Sequence, residues 1–163
     1  MLIIRKAELE DCPSIARVHT SAIRAISTSL YTPEEIESWA IPHTPERYQQ
    51  SISSKEFYVA VDDDAIVGFG VLNQVSGEID AVYVSPDVGR RGVGLMILSW
   101  LEKRGRALGL PVLTLNAAMN AVGFYQRAGY VALEKSKYQL SSGVEIACIP
   151  MVKRLMLSSD AAT

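Results

Sequence analysis

An α/β protein, with a mixed central sheet flanked by helices, is the fold class this sequence predicts. Three observations carry the prediction. Strand-like and helical segments follow one another along nearly the whole chain of 163 residues. Three β-rich segments between Phe57 and Val84 are separated only by turns, which makes part of the sheet antiparallel. The region after Val84 then returns to a strand–helix rhythm, the pattern of helices layered on a sheet.

The elements read as follows. Leu2 to Ala7 is a strand. Asp11 is placed to cap a helix with Pro13 in its first turn, and Ile15, Val18, Ala22 and Ile26 recur along it at helical spacing. His19 lies beside that stripe. A second helix begins at Thr32: Pro33 suits the first helical position, and Glu35 completes a Thr-x-x-Glu capping box. Trp39 sits near its end, before Pro42. Thr44, Pro45 and Glu46 start a third short helix carrying Tyr48 and Ile52, and His43 reads as an exposed loop residue. Phe57 to Val61 and Ile66 to Leu72 are strands joined by a turn at Asp62, Asp63 and Asp64. Gly77 turns the chain into the strand Glu78 to Val84. The helix that opens at Gly92 carries Val93, Ile97, Trp100, Leu101 and Leu108. It stops at Gly109, with Pro111 just beyond. Val112 to Leu115 is a short buried strand, and a helix over Asn120 to Ala128 ends at Gly129. Tyr130 to Leu133 and Lys137 to Leu140 read as one long, irregular strand. Ser141, Ser142 and Gly143 turn into the last strand, Val144 to Lys153, where Pro150 argues for an edge or a splay. Such an edge could pair across a homodimer.

Composition narrows the function classes. The length suits one domain over residues 1–157, with the small, polar residues 158–163 as a frayed tail. Charged residues at 21% and hydrophobic ones at 48% are ordinary for a globular protein. A net charge of −2 gives no reason to expect nucleic-acid binding. No apolar run approaches a membrane span, and the start Met1-Leu2-Ile3-Ile4-Arg5 lacks the features of a signal peptide. Cys12 and Cys148, far apart, read as packed thiols, with a disulfide or metal pair the lesser reading. No metal is expected, and the expected location is cytoplasmic.

The stretch from Glu78 to Leu98 carries the chemistry. A strand ending in Val82, Tyr83 and Val84, a turn with Pro86, Gly89, Arg90 and Arg91, and a helix opening at Gly92-Val93-Gly94 together make an anion site. The first amides of a helix lack internal partners, and its dipole adds partial positive charge there. Glycines let a bulky anion approach the backbone, and the two arginines can add charge-assisted hydrogen bonds.

This stretch resembles the acyl-CoA signature of the GNAT superfamily of N-acetyltransferases, Gln/Arg-x-x-Gly-x-Gly/Ala after an apolar-x-Val-x-Pro strand end. Gly92, Gly94 and Val84-Ser85-Pro86 fit. Gly89 stands where the family prefers Gln or Arg, and Arg90 and Arg91 are placed to compensate. A second signature lies some 30 residues downstream: Ala121-Val122-Gly123-Phe124-Tyr125-Gln126-Arg127-Ala128-Gly129-Tyr130 is similar to the family's Ala-x-x-Phe-Tyr-x-x-x-Gly-Phe. The order of elements also matches the family along almost the full chain.

The resemblance implies a GNAT acyl-CoA N-acyltransferase fold in which the fourth and fifth strands splay apart and the pantetheine arm lies between them. Val82, Tyr83 and Val84 would then bond the pantetheine and the acetyl carbonyl through the main chain. The loop Gly89, Arg90, Arg91, Gly92, Val93 and Gly94 would hold the pyrophosphate. Tyr125 would protonate the leaving thiolate. Glu78 occupies a place where some members carry a catalytic Glu, with Asp80 two residues on as the other candidate base; many members use only ordered water. Ala118 replaces a Ser common in one subgroup, which leaves Asn116 or Asn120 to cap the helix or touch the cofactor. His19, Tyr31, Trp39 and Tyr48 are candidates for the acceptor pocket, with core packing an equal reading for Trp39.

The expected activity is acetyl transfer from acetyl-CoA, by direct attack, to a primary amine of a small molecule, a peptide N-terminus or a lysine. No long acidic patch argues for polyamines. Two rivals remain at this level: a non-catalytic acyl-CoA sensor of the same fold, and a nucleotide-binding protein, which lacks both Gly-x-Gly-x-x-Gly and a P-loop Gly-Lys-Ser/Thr here.

Overall fold

Two four-stranded sheets, parted along most of their shared border, form the centre of the fold among the described residues. The computed structural model describes residues 1–41, 44–89 and 91–156. The first sheet runs β1 (Leu2–Lys6), β2 (Glu56–Asp62), β3 (Ala65–Leu72) and β4 (Ile79–Val84), antiparallel throughout. In the second, β8 (Glu145–Arg154) pairs with β5 (Val112–Ala118) on one side and with β6 (Val131–Ala132) and β7 (Ser136–Gln139) on the other.

Helices cover both faces. On one side lie α1 (Cys12–Arg24), α2 (Pro33–Ala40) and α3 (Glu46–Ser54); on the other lies α4 (Val93–Ala107), while α5 (Val122–Arg127) follows β5. Alternation along β3 decides the faces. Phe69 and Val71 pack with Ile15 and Val18 of α1, whereas Leu72 packs with Ile97 and Leu101 of α4. Gly70 lets α4 come close: a Cβ there would lie 2.5 Å from Ile97 Cγ2 and 3.0 Å from Leu101 Cδ1.

Local signals explain the helices. At α2, Thr32 Oγ1 accepts from Glu35 N–H at 3.1 Å and Glu35 Oε1 accepts from Thr32 N–H at 2.9 Å, with Pro33 in the first turn. At α1, Asp11 holds the cap position but its carboxylate turns away from the helix. It accepts from Arg5 at 2.8 and 3.0 Å and from the Glu8 N–H at 2.8 Å, which pins β1 to the helix start.

Three expectations are corrected. The segment after Gly129 forms two short strands, β6 and β7, because the chain leaves the sheet between Ala132 and Ser136. The last strand is the centre of its sheet, which removes the basis for a homodimer built by edge pairing of β8. Pro150 is tolerated there for a simple reason. Its carbonyl accepts from Leu133 N–H at 2.8 Å, so the side of the strand where its N–H would point is the interrupted β6–β7 side. No side chain caps α5, whose cap position is Ala121, so Asn116 and Asn120 do not serve as caps. His43, Arg90 and the tail 158–163 lie outside the described residues.

A polar clamp joins the second sheet to α4. Glu102, buried on α4, accepts from Tyr130 Oη at 2.8 Å and from Lys153 Nζ at 3.1 Å, and Lys153 also donates to Ala128 O at 2.8 Å. Cys12 and Cys148 are free and buried.

Replacing Gly70 by Ala should destabilise the protein by about 1–3 kcal/mol, the usual range for overpacking. Denaturant unfolding checks this; unchanged stability would contradict the close approach of α4 to β3.

Candidate active site

The border between the two sheets sets the geometry. Among the described residues, β4 and β5 meet through one parallel bridge, Glu78 with Thr114, beside a 3.0 Å bond from Thr114 N–H to Gly77 O. Beyond it the strands belong to separate sheets. A cavity of about 880 Å³ follows the gap, lined by Val82 and Val84 on one side and by Leu115 and Asn116 on the other.

The phase of the β3–β4 ladder decides which backbone groups face that gap. Ser85 N–H donates to Val67 O at 2.8 Å. Because bonded and non-bonded pairs alternate in an antiparallel ladder, Tyr83 opposite Phe69 spends its N–H and C=O on β3, while Val82 and Val84 point theirs toward β5. The expectation of main-chain contacts from all three residues is therefore corrected for Tyr83, whose backbone is already taken. The side chains of Val82 and Val84 pack with the core under α4, which holds the strand in this phase.

At the far end of β4 a second cavity, about 500 Å³, opens at the N-terminus of α4 and shares Val84, Gly94 and Phe124 with the first. Gly92 is the cap residue, with φ +75°, and Gly94 lies where a Cβ would stand 3.4 Å from Phe124 Cζ. Gly89 and Val93 also line this groove. The unpaired first-turn amides and the dipole make it a place for an anion. Arg91 is engaged elsewhere: its Nη1 donates to Asp62 Oδ2 at 2.7 Å, tying the loop to the end of β2. Arg127 of α5 lines the groove instead. Its position one turn after Gly123 in the second signature was the available signal, and sequence reasoning passed over it.

Tyr125 lines the main cavity from α5, its ring edge-on to Phe124 at 5.0 Å and to Tyr130 at 5.7 Å. Burial pushes its phenol far above the ordinary value, so it stays protonated. Glu78 and Asp80 reach the same cavity. They do so through a bulge rather than plain alternation: Val71 opposes Ala81 and Leu72 opposes Ile79, which leaves Asp80 as the extra residue. Asp80 is bound to Lys55 at 2.5 Å. Burial raises the Glu78 carboxyl above its usual value, the Asp80 carboxylate adds to this, and Lys55 works against it.

The opposite end of the cavity is aromatic. His19 Nδ1 is 2.7 Å from Tyr48 Oη, and the His19 ring lies 4.4 Å from that of Tyr83 and 5.6 Å from that of Phe69. Trp39 also lines this part. Tyr31 is buried outside the cavity lining, so its reading as a pocket wall is corrected. Its hydroxyl donates to Ala147 O at 2.6 Å and accepts from Met119 N–H at 2.9 Å, and its ring backs Trp39 at 5.5 Å. Asn116 and Asn120 are exposed residues on the cavity rim. Among the described residues, no group of three or more His, Cys, Asp or Glu is arranged to hold a metal ion.

A family model for an acetyltransferase (GNAT) domain matches residues 27–155. The uncharacterized N-acetyltransferase YafP of Escherichia coli is 24% identical over 136 residues, which span 83% of this chain and 85% of YafP. The crystal structure of a GCN5-related N-acetyltransferase from Rhodopseudomonas palustris superposes with a TM-score of 0.87 at 29% identity, covering 94% of this chain and 95% of that one. The PaiA N-acetyltransferase of Thermoplasma acidophilum, solved with coenzyme A, gives a TM-score of 0.76 at 20% identity, over 94% of this chain and 99% of that one.

Gly94→Val would push two methyl groups toward Phe124 and Val84 and narrow the groove. It should weaken coenzyme A binding at least about tenfold, or about 1.4 kcal/mol, by calorimetry. Wild-type affinity in the folded variant would contradict an anion site at this helix start.

Proposed function

The chain belongs to the GNAT family of acetyltransferases, and on that premise we propose that it transfers an acetyl group from acetyl-CoA to a primary amine of a small molecule or peptide. The observation that carries this reading is the meeting of three features on one cavity: the outward backbone of Val82 and Val84, the protonated Tyr125 and the carboxylate of Glu78. The glycine-lined groove at α4, with Arg127, is the seat for the pyrophosphate. The gap between β4 and β5 takes the pantetheine arm, whose amides pair with the free groups of Val82 and Val84. Arg91 has a lesser part in this account, since it is already bound to Asp62.

Acetyl-CoA supplies an activated acyl group whose C–S bond breaks as the amine nitrogen forms the new C–N bond. Glu78 takes the proton that the amine must lose, and its raised pKa suits a base working toward neutral pH. Backbone N–H groups of β4 that face the gap stabilise negative charge on the acetyl oxygen without reorganising. The Tyr125 hydroxyl gives a proton to the departing sulfur, and both groups reset by exchange with water. Dry surroundings leave the balance of this donation little changed, because they raise the proton affinity of a thiolate as well as that of a phenolate. Asp80, bound to Lys55, tunes Glu78 and is not itself the base. A pure acyl-CoA sensor would need neither Tyr125 nor an unpaired Glu78. Release of free thiol from acetyl-CoA in the presence of amines separates the two readings, and its complete absence across amines would favour the sensor. The buried free thiols are consistent with a cytoplasmic setting.

Tyr125→Phe should lower kcat about a hundredfold with little change in the Kd for acetyl-CoA. Unchanged kcat would remove its role as acid.

The pH–rate profile tests Glu78. A base is active when deprotonated, so kcat/KM should rise with pH through the raised pKa of Glu78. Asp80→Asn removes a like charge and releases Lys55, and both effects lower that pKa; the acid limb should move to lower pH. Lys55→Met removes an attraction, and the limb should move to higher pH. Glu78→Gln should abolish the limb. An acid limb that none of the three variants moves would exclude Glu78 as base.

A further inference from the structure

The reading of the cavity as an acetyl-transfer site leaves the acceptor open, and the following rests on that reading. We propose that the acceptor is a primary monoamine carried on a flat apolar frame, an aromatic ring above all, selected by Trp39, Tyr48 and Tyr83.

The walls opposite the cofactor seat are rings. Tyr83 stacks on Phe69 at 5.6 Å and meets His19 at 4.4 Å, and Tyr48 stands edge-on to Phe69 at 6.3 Å. Trp39 approaches from α2, braced by Tyr31. The braces are fixed from behind: Tyr31 is bonded to two backbone groups and Tyr48 to His19, so the rings keep their positions without an occupant. Aromatic faces of this kind attract both flat apolar groups and a single ammonium on its way to deprotonation.

Charge excludes the main competitors. The charged residues lining the cavity, among those described, are Arg47, Lys55, Glu78 and Asp80, two of each sign. Asp80 and Lys55 neutralise each other at 2.5 Å. Glu78 answers one ammonium. A polyamine brings a second ammonium that meets no further carboxylate among the described lining residues. A long peptide would lose hydrogen-bond partners for each backbone group laid against the faces of Trp39, Tyr48 and Tyr83. A frame that is flat and uncharged beyond its one amine matches what the walls offer.

The test is calorimetry on the full chain saturated with coenzyme A, titrated with 2-phenylethylamine, spermidine, L-glutamate and a tetra-alanine peptide. Phenylethylamine should bind at least about tenfold tighter than each of the others. Trp39→Ala should weaken phenylethylamine by about tenfold while leaving the Kd for coenzyme A unchanged. Equal or tighter binding of spermidine, glutamate or the peptide overturns the proposal on the wild-type protein alone, whatever the variant does. So does unaltered phenylethylamine affinity in Trp39→Ala. A protein that binds coenzyme A but ranks the acceptors differently loses this inference only; a protein that fails to bind coenzyme A loses the acetyl-transfer reading, and this inference with it.

Discussion

The pairing of β4 with β5 stops after Glu78 and Thr114, and the rest of the structure is arranged to keep it from resuming. An unpaired strand edge inside a protein is expensive, because each buried N–H and C=O without a partner costs about 1–3 kcal/mol. The edge here is tolerated because a cavity opens along it. Val82 and Val84 anchor β4 to the core under α4 on one side of the gap. On the other side, Tyr31 ties the segment before α2 to β8 and to the turn after β5, and the Glu102, Tyr130 and Lys153 clamp fixes α5 and β8 against α4. The two sheets are thus braced apart from outside. The Tyr125 carbonyl accepts from Tyr130 N–H at 3.0 Å, so the same clamp bears on the helix that carries Tyr125.

The carboxylates follow from that gap. Glu78 sits where the two sheets still touch and is partly screened from water, which raises its proton affinity. The bulge at Asp80 brings a second carboxylate to the cavity, and Lys55 at the end of α3 holds it. One carboxylate is committed to Lys55 while the other makes no ion pair among the described residues, so two chemically alike groups differ in their surroundings.

Much of this could be read in the chain and some could not. The α2 capping box, the glycines opening α4 and the Phe124-Tyr125 signature are local patterns, and each appears where the sequence puts it. What failed was everything decided by register or by distant partners. Pro150 suggested an edge, yet a proline fits a central strand when its missing donor faces a break in the neighbouring ladder. Tyr83 was grouped with Val82 and Val84, but only the phase of the β3–β4 ladder separates a backbone that is spent from one that is free. Tyr31 looked like a pocket residue because no local signal announces that its hydroxyl bonds two backbone groups far along the chain. Lys55 gave no pattern of its own, since a lone cation acquires a role only from what folds beside it.

Amide hydrogen exchange on β4, with and without saturating coenzyme A, tests the central claim directly. The N–H groups of Val82 and Val84 should exchange readily in the free protein and slow when the ligand enters the gap, while those of Ala81 and Tyr83, already bonded to β3, change little. Saturation with coenzyme A that leaves Val82 and Val84 unprotected would contradict the account.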